Sequence, residues 1–229
     1  MKDEGRGLMR RDVVRDGVRG AVAVVLAAAV LTGCGEEKKP GASAAPSSPA
    51  KPSPTSGSGA AAAKAGGAVG SAGSACALPA TFDLAAKWKP KPVAAEAADS
   101  PLAGLAKQGP FTLACEIDAK PAGHIGFLRA WTITTTSGTP RAALESFVGA
   151  DKNARKPAYQ EIKGGSLPAT EVAYETYSKV MDASKQEHAL AVVTPKGTLV
   201  LHLGGLDTQE HQEMLPAYEL AKSSLKATR

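Results

Sequence analysis

QEHALAVVTPKGTLVLHLGG, residues 186–205, is the clearest structural element in the sequence. Two runs dense in Val, Leu and Thr flank Pro195-Lys196-Gly197, a pattern that predicts a β-hairpin. The expected loop has three residues, a type I turn closed by a glycine in the left-handed conformation. With Thr194 opposite Thr198, the odd positions Ala189, Ala191, Val193, Leu199, Leu201 and Leu203 share one buried face. His188 and His202 then fall together on the even face as diagonal neighbours, ~7–8 Å apart at Cα. Two imidazoles at that spacing are a metal candidate, but a zinc site asks for at least three protein ligands. Glu187 points to the other face in this register, so the plainer expectation is two solvated or half-buried histidines and no metal.

Elements of matching kind surround the hairpin. Asp207 is placed to cap a closing helix, with Glu210 three residues on as its capping-box partner. Leu215, Tyr218, Ala221 and Leu225 form the expected core stripe, and Pro216 distorts the first half or marks a later start. On the other side, TEVAYETYSKV (170–180) reads as a strand. Thr139 and Pro140 open a helix through RAALESFVG. FTLACEIDA (111–119) and HIGFLRAWTITTT (124–136) read as two more strands, with Ile125, Phe127, Trp131 and Ile133 on one face. Short strands, a helix, a strand, a long hairpin and a closing helix make an α+β domain over 76–229. Its expected form is an antiparallel sheet with helices packed against it.

FDLAAKWKP (82–90), the strand Gly197-Thr198-Leu199-Val200-Leu201 and the closing helix bearing Ser223-Ser224-Leu225 resemble the PsbP-like fold. That fold recurs in small actinobacterial lipoproteins, including those of the LpqN type. Where its entry carries Pro-x-Gly-Trp, this chain has Ala85-Ala86-Lys87-Trp88. The resemblance implies a binding or accessory protein and carries over no catalytic residue.

Upstream the composition changes. The apolar run Ala21 to Leu31 has eleven residues, too short for a membrane span, which needs ~20. It suits the apolar core of an export signal behind a basic leader of six Lys/Arg and four Asp/Glu. Met9 is an alternative start. Arg10-Arg11 invites a twin-arginine route, but Asp12-Val13-Val14 favours the general secretory one. Leu31-Thr32-Gly33-Cys34 is similar to the lipobox of bacterial lipoproteins at all four positions. That resemblance implies a signal peptide over 1–33, cleavage between Gly33 and Cys34, and a diacylglyceryl and N-acyl lipid on Cys34. Two acyl chains hold a protein stably on a bilayer where one does not. The expected location is the extracytoplasmic face of the cell membrane, lipid-anchored.

Residues 35–75 contain no aromatic residue and no Leu, Ile or Met. Such a segment buries too little apolar surface to offset its ordering entropy, so 34–75 reads as the lipidated Cys34 followed by a disordered tether. Of three cysteines, Cys76 and Cys115 remain once Cys34 is lipidated. Outside the cytoplasm they are expected to form a disulfide rather than a redox or metal pair, since their separation lacks C-x-x-C compactness.

The whole chain carries +5, and without its leader only about +3, too little to argue for nucleic acid. No G-x-S-x-G or H-E-x-x-H occurs, and no catalytic residue is assigned. Lys87, Trp88 and Lys89 are the interaction candidate: an indole between lysines suits a lipid headgroup boundary, or a sugar beside an acidic polymer. The rival reading puts Trp88 in the core. Gly204-Gly205 before Asp207 offers an anion-binding turn, which the aspartate opposes. No cofactor is expected. The sequence therefore predicts a monomeric, non-catalytic binding or accessory module at the envelope, with an envelope protein, cell-wall polymer or small ligand as partner. A ligand or metal carrier and an envelope hydrolase are the rivals.

Overall fold

In the computed structural model, which describes residues 62–94 and 103–229, the chain runs through eleven strands and two α-helices. First come β1 (Ala65–Val69), β2 (Ala80–Ala85), β3 (Lys89–Pro92), β4 (Lys107–Gln108), β5 (Phe111–Asp118) and β6 (Gly126–Ile133). Then follow α1 (Pro140–Gly149), β7 (Ala154–Gly164), β8 (Leu167–Ser178), β9 (Ala183–Thr194), β10 (Gly197–Gly205), α2 (Thr208–Ser224) and β11 (Lys226–Ala227). The signal segment, Gly33 and Cys34, and the tether as far as residue 61 lie outside the described residues.

The main sheet has eight strands in the order β3-β5-β6-β10-β9-β8-β7, with β4 also on β5, and every pair of strands is antiparallel. A small sheet, β1-β2-β11, packs beside α2. This is the antiparallel α+β architecture that the hairpin and the two capped helices predict. Thr139 accepts from the Ala142 N–H at 3.1 Å and Asp207 from the Glu210 N–H at 2.8 Å, so both helices start where their caps place them. Pro216 lies inside α2 without ending it.

The hairpin register departs from expectation. Thr194 pairs with Gly197, leaving a two-residue Pro195-Lys196 loop, so Val193 faces Thr198 and Ala189 faces His202. The Thr194 hydroxyl tightens this shorter loop by accepting from the Lys196 N–H and donating to the Gly197 carbonyl. A one-residue slip sends alternate side chains to the opposite face. Leu190, Val192, Leu199, Leu201 and Leu203 therefore share one face, and Ala189, Ala191 and Val200 the other. Both faces are covered. The first set joins α2 (Met214, Tyr218, Ala221) and the small sheet in the larger core. The second packs against Leu144, Phe147 and Val148 of α1, with Trp131 and Tyr174. A central strand buried on both sides needs no polar alternation, which is why β10 reads as a continuous apolar run.

Three further expectations are corrected. Ile125, placed with Trp131 on one face, lies ahead of β6 and is exposed, while Leu128 and Ala130 are buried on the side opposite Trp131. β7 has no counterpart among the expected elements. It is an edge strand paired only with β8, and most of its residues meet solvent. Finally, the folded body begins before Cys76. β1 pairs with β2 inside the segment read as tether, and its Val69 is fully buried. Glycine there serves close approach: a Cβ on Gly66 would stand 2.5 Å from Ala86 Cα, and Gly70 holds φ +104 with the Ala80 carbonyl where a side chain would go. Beyond this strand, Cys76 and Cys115 are disulfide-bonded, both buried in the larger core.

Candidate functional site

The two-residue loop decides where the polar residues of the hairpin go. His202 projects to the α1 side together with Glu187, its diagonal neighbour, and His188 projects to the α2 side. The two histidines weighed as a metal candidate thus stand on opposite faces of the sheet, and no ion can bridge them.

On the α1 side, Glu187 is 3% exposed yet keeps its charge through its partners. Its Oε2 accepts from His202 Nε2 at 2.9 Å, and its Oε1 from Lys185 Nζ at 2.8 Å and Thr176 Oγ1 at 3.3 Å. Burial pushes this carboxyl up, but the charges and hydrogen bonds of His202 and Lys185 outweigh it and bring it down to about 2. An ionised carboxylate only accepts, so His202 Nε2 donates in this contact, and Nδ1 is buried without a partner. The Tyr174 hydroxyl lies 3.1 Å from the same Nε2, and its ring stacks on the imidazole at 24°. Burial, then the Glu187 charge, raises the Tyr174 phenol, so it stays protonated. Phe147 of α1 meets the imidazole edge-on, 5.6 Å between ring centres.

Gly204 makes room for this group: a Cβ there would stand 3.1 Å from Glu187 Oε2. Of the glycine pair read as an anion-binding turn, Gly204 accommodates the protein's own anion instead, while Gly205 lies against His211 and Met214. Lys185 is anchored a second time by the Gly205 carbonyl at 2.7 Å. Around these residues lies a cleft of about 340 Å³ whose rim adds Gln108, Asp151, Asn153, Tyr177 and Ser178.

On the α2 side, His188 Nδ1 and His211 Nε2 lie 2.7 Å apart in rings stacked at 16°. His211 is fully buried. Burial first, then the neighbouring His188, lowers its imidazole to about 4. Burial lowers His188 as well, with Glu171 opposing.

The remaining sequence candidates fall apart. Trp88 is 6% exposed and packs in the larger core, so the indole is closed to headgroup or sugar, and Lys87 and Lys89 flank a core residue. Lys87 occupies a left-handed backbone position, φ +71. Ser224, in the closing helix, accepts from the Asp83 N–H and donates to the Leu220 carbonyl, a structural use. Glu187 and Tyr174 were missed because the three-residue loop puts Glu187 on the wrong face. A two-residue loop would have revealed the Glu187–His202 pair.

Among curated proteins, none matches this chain. Among solved structures, the chain is similar to the solution structure of cyanobacterial PsbP (CyanoP) from Synechocystis sp. PCC 6803. The two share 10% identity at a TM-score of 0.46, over 65% of this chain and 86% of that one. A family model described as an uncharacterised lipoprotein matches residues 46–225, well over half of the sequence. The chain belongs to this family of uncharacterised lipoproteins.

Proposed function

We propose that this lipoprotein is anchored through a diacylglyceryl and N-acyl lipid on Cys34 to the extracytoplasmic face of the cell membrane. It acts there as a non-catalytic binding or accessory module, with the Glu187–His202 cleft as its recognition site. The observation that carries the reading is how the cleft's acid and base are spent. Both oxygens of Glu187 are occupied by His202, Lys185 and Thr176. Nucleophilic catalysis asks for a hydroxyl or thiol against the free nitrogen of the base. Here His202 Nδ1 is sealed, and the hydroxyls of Tyr174 and Thr176 already engage Nε2 and Glu187. What remains is a fixed set of donors and acceptors around a small cleft, which suits a small polar ligand or the polar end of a cell-wall polymer.

Two experiments test this. Cys34→Ala is expected to move the protein from the membrane fraction to soluble or unprocessed forms; unchanged fractionation with normal processing would falsify the anchor. Native mass spectrometry of protein extracted from membranes is expected to show a bound species that Glu187→Gln loses. Turnover of ester or peptidoglycan substrates that disappears in His202→Gln would make the protein an envelope hydrolase instead.

A further inference from the structure

A second group of ligating side chains lies away from the cleft, where the turn between β5 and β6 meets the first turns of α2. After Lys120–Ala122, Gly123 takes φ 100 and delivers His124 toward the helix. Gly126 lets α2 come close: a Cβ there would stand 2.3 Å from the Met214 methyl. This approach puts Glu210 and Glu213, three residues apart on the helix, beside one imidazole. His124 Nδ1 is 2.9 Å from Glu210 Oε1 and 3.8 Å from Glu213 Oε2, and the three ligand atoms all lie within 4.8 Å of one another.

We propose that His124, Glu210 and Glu213 form a binding site for a divalent metal ion of the zinc class. One imidazole and two carboxylates are a ligand set that zinc takes. Metal–ligand bonds of about 2.0–2.2 Å in a tetrahedron set ligand atoms roughly 3.3 Å apart, so the observed spacings close on an ion with small rotations. The group lacks any other cation: among the described residues neither glutamate pairs with a lysine or arginine. Its outer partners orient the ligands. Gln209 Nε2 donates to Glu213 Oε1 at 3.0 Å, leaving Oε2 toward His124. Asp207 accepts from the Glu210 backbone N–H and so fixes the helix turn that carries both glutamates. On binding, the ion takes the place of the proton between Nδ1 and Glu210, and the neutral imidazole carries its proton on Nε2. Side-chain exposures of 28%, 19% and 50% leave the remaining coordination positions to water.

The test is calorimetric titration of zinc chloride into full-length, chelator-treated protein in detergent, beside His124→Ala and the double variant Glu210→Gln/Glu213→Gln. One saturable equivalent is expected in the parent. It should weaken at least tenfold in the double variant and vanish in His124→Ala, and zinc should raise the melting temperature of the parent alone. The glutamine pair keeps the shape of the carboxylates, so its metal-free melting temperature should match the parent's. Absence of a one-equivalent event, or equal affinity in the double variant, overturns the site.

Discussion

β9 and β10 give Leu190, Val192, Leu199, Leu201 and Leu203 to the α2 side of the sheet, and Ala189, Ala191, Val200, Glu187 and His202 to the α1 side. Neighbouring residues of the same strands thus build two unlike interiors. Large aliphatics on the α2 side pack against α2, the small sheet and the disulfide. Small residues on the α1 side leave the volume to Phe147, Trp131 and a charged group. A sheet covered on both faces can hold its body together with one and spend the other on a polar site.

The largest expected effect tests that division. Leu201→Ala should cost about 3–4 kcal/mol in urea unfolding, because a fully buried leucine leaves a cavity among large neighbours. Val200→Ala, one residue along and facing α1, should cost about 1–2 kcal/mol. Equal costs would mean that the two faces are packed alike. Reduction, or Cys76→Ser, should remove about 2–4 kcal/mol and lower the melting temperature by several degrees, with protease cutting before β5 while the hairpin survives. Mass spectrometry finding both thiols free in exported protein would remove this staple from the α2 side.

Acid should separate the faces. Because the native His211 imidazole is held near 4, the unfolded chain takes its proton first. Stability carried by His211 is complete above the unfolded value near 6.5 and is lost as pH falls toward 4, by about 3 kcal/mol. Glu187 is shifted the other way for an acid: its contribution is complete above 4.5 and is lost only as pH falls toward about 2. Unfolding free energy measured from pH 7 to 3 should therefore drop in two limbs. His211→Gln should flatten the upper one and Glu187→Gln the lower; a single limb shared by both variants would contradict the division. The smallest effect is Lys87→Gly, which should stabilise by about 0.5–1 kcal/mol in chemical denaturation, since a non-glycine side chain occupies a left-handed backbone position beside Trp88.

Strong local signals were legible. Thr139-Pro140 and Asp207 fix helix starts within their own turns, and FTLACEIDA alternates as β5 does. What escaped depends on partners distant in sequence. β7 is polar because most of its side chains meet solvent, so nothing in ARKPAYQEIKG marks a strand. β1 owes its place to glycines that let backbones meet, a use indistinguishable by composition from a flexible linker. The site was half legible. His202 was named, but its acid was assigned to the wrong face by one residue of loop length, a choice settled by the Thr194 hydroxyl rather than by hydrophobic pattern.

The position of β1 has a mechanical consequence. β2 takes β1 along one edge and β11 along the other, and Cys76 follows seven residues after the end of β1. Tension on the chain ahead of Ala62 reaches the bond from the Ala63 N–H to the Pro216 carbonyl and then the β1–β2 hydrogen bonds. Once the turn bonds linking Gly70 to Cys76 and Leu78 open as well, residues 62–75 come free, roughly 45–50 Å of extended chain. The pull then meets a covalent bond that hands it to β5, in the body of the main sheet. Residues 62–75 therefore act as a short spring with a hard stop: a body tugged from that end can extend by one strand and rebind it, while the hairpin and the Glu187–His202 cleft feel no strain until the stop is reached.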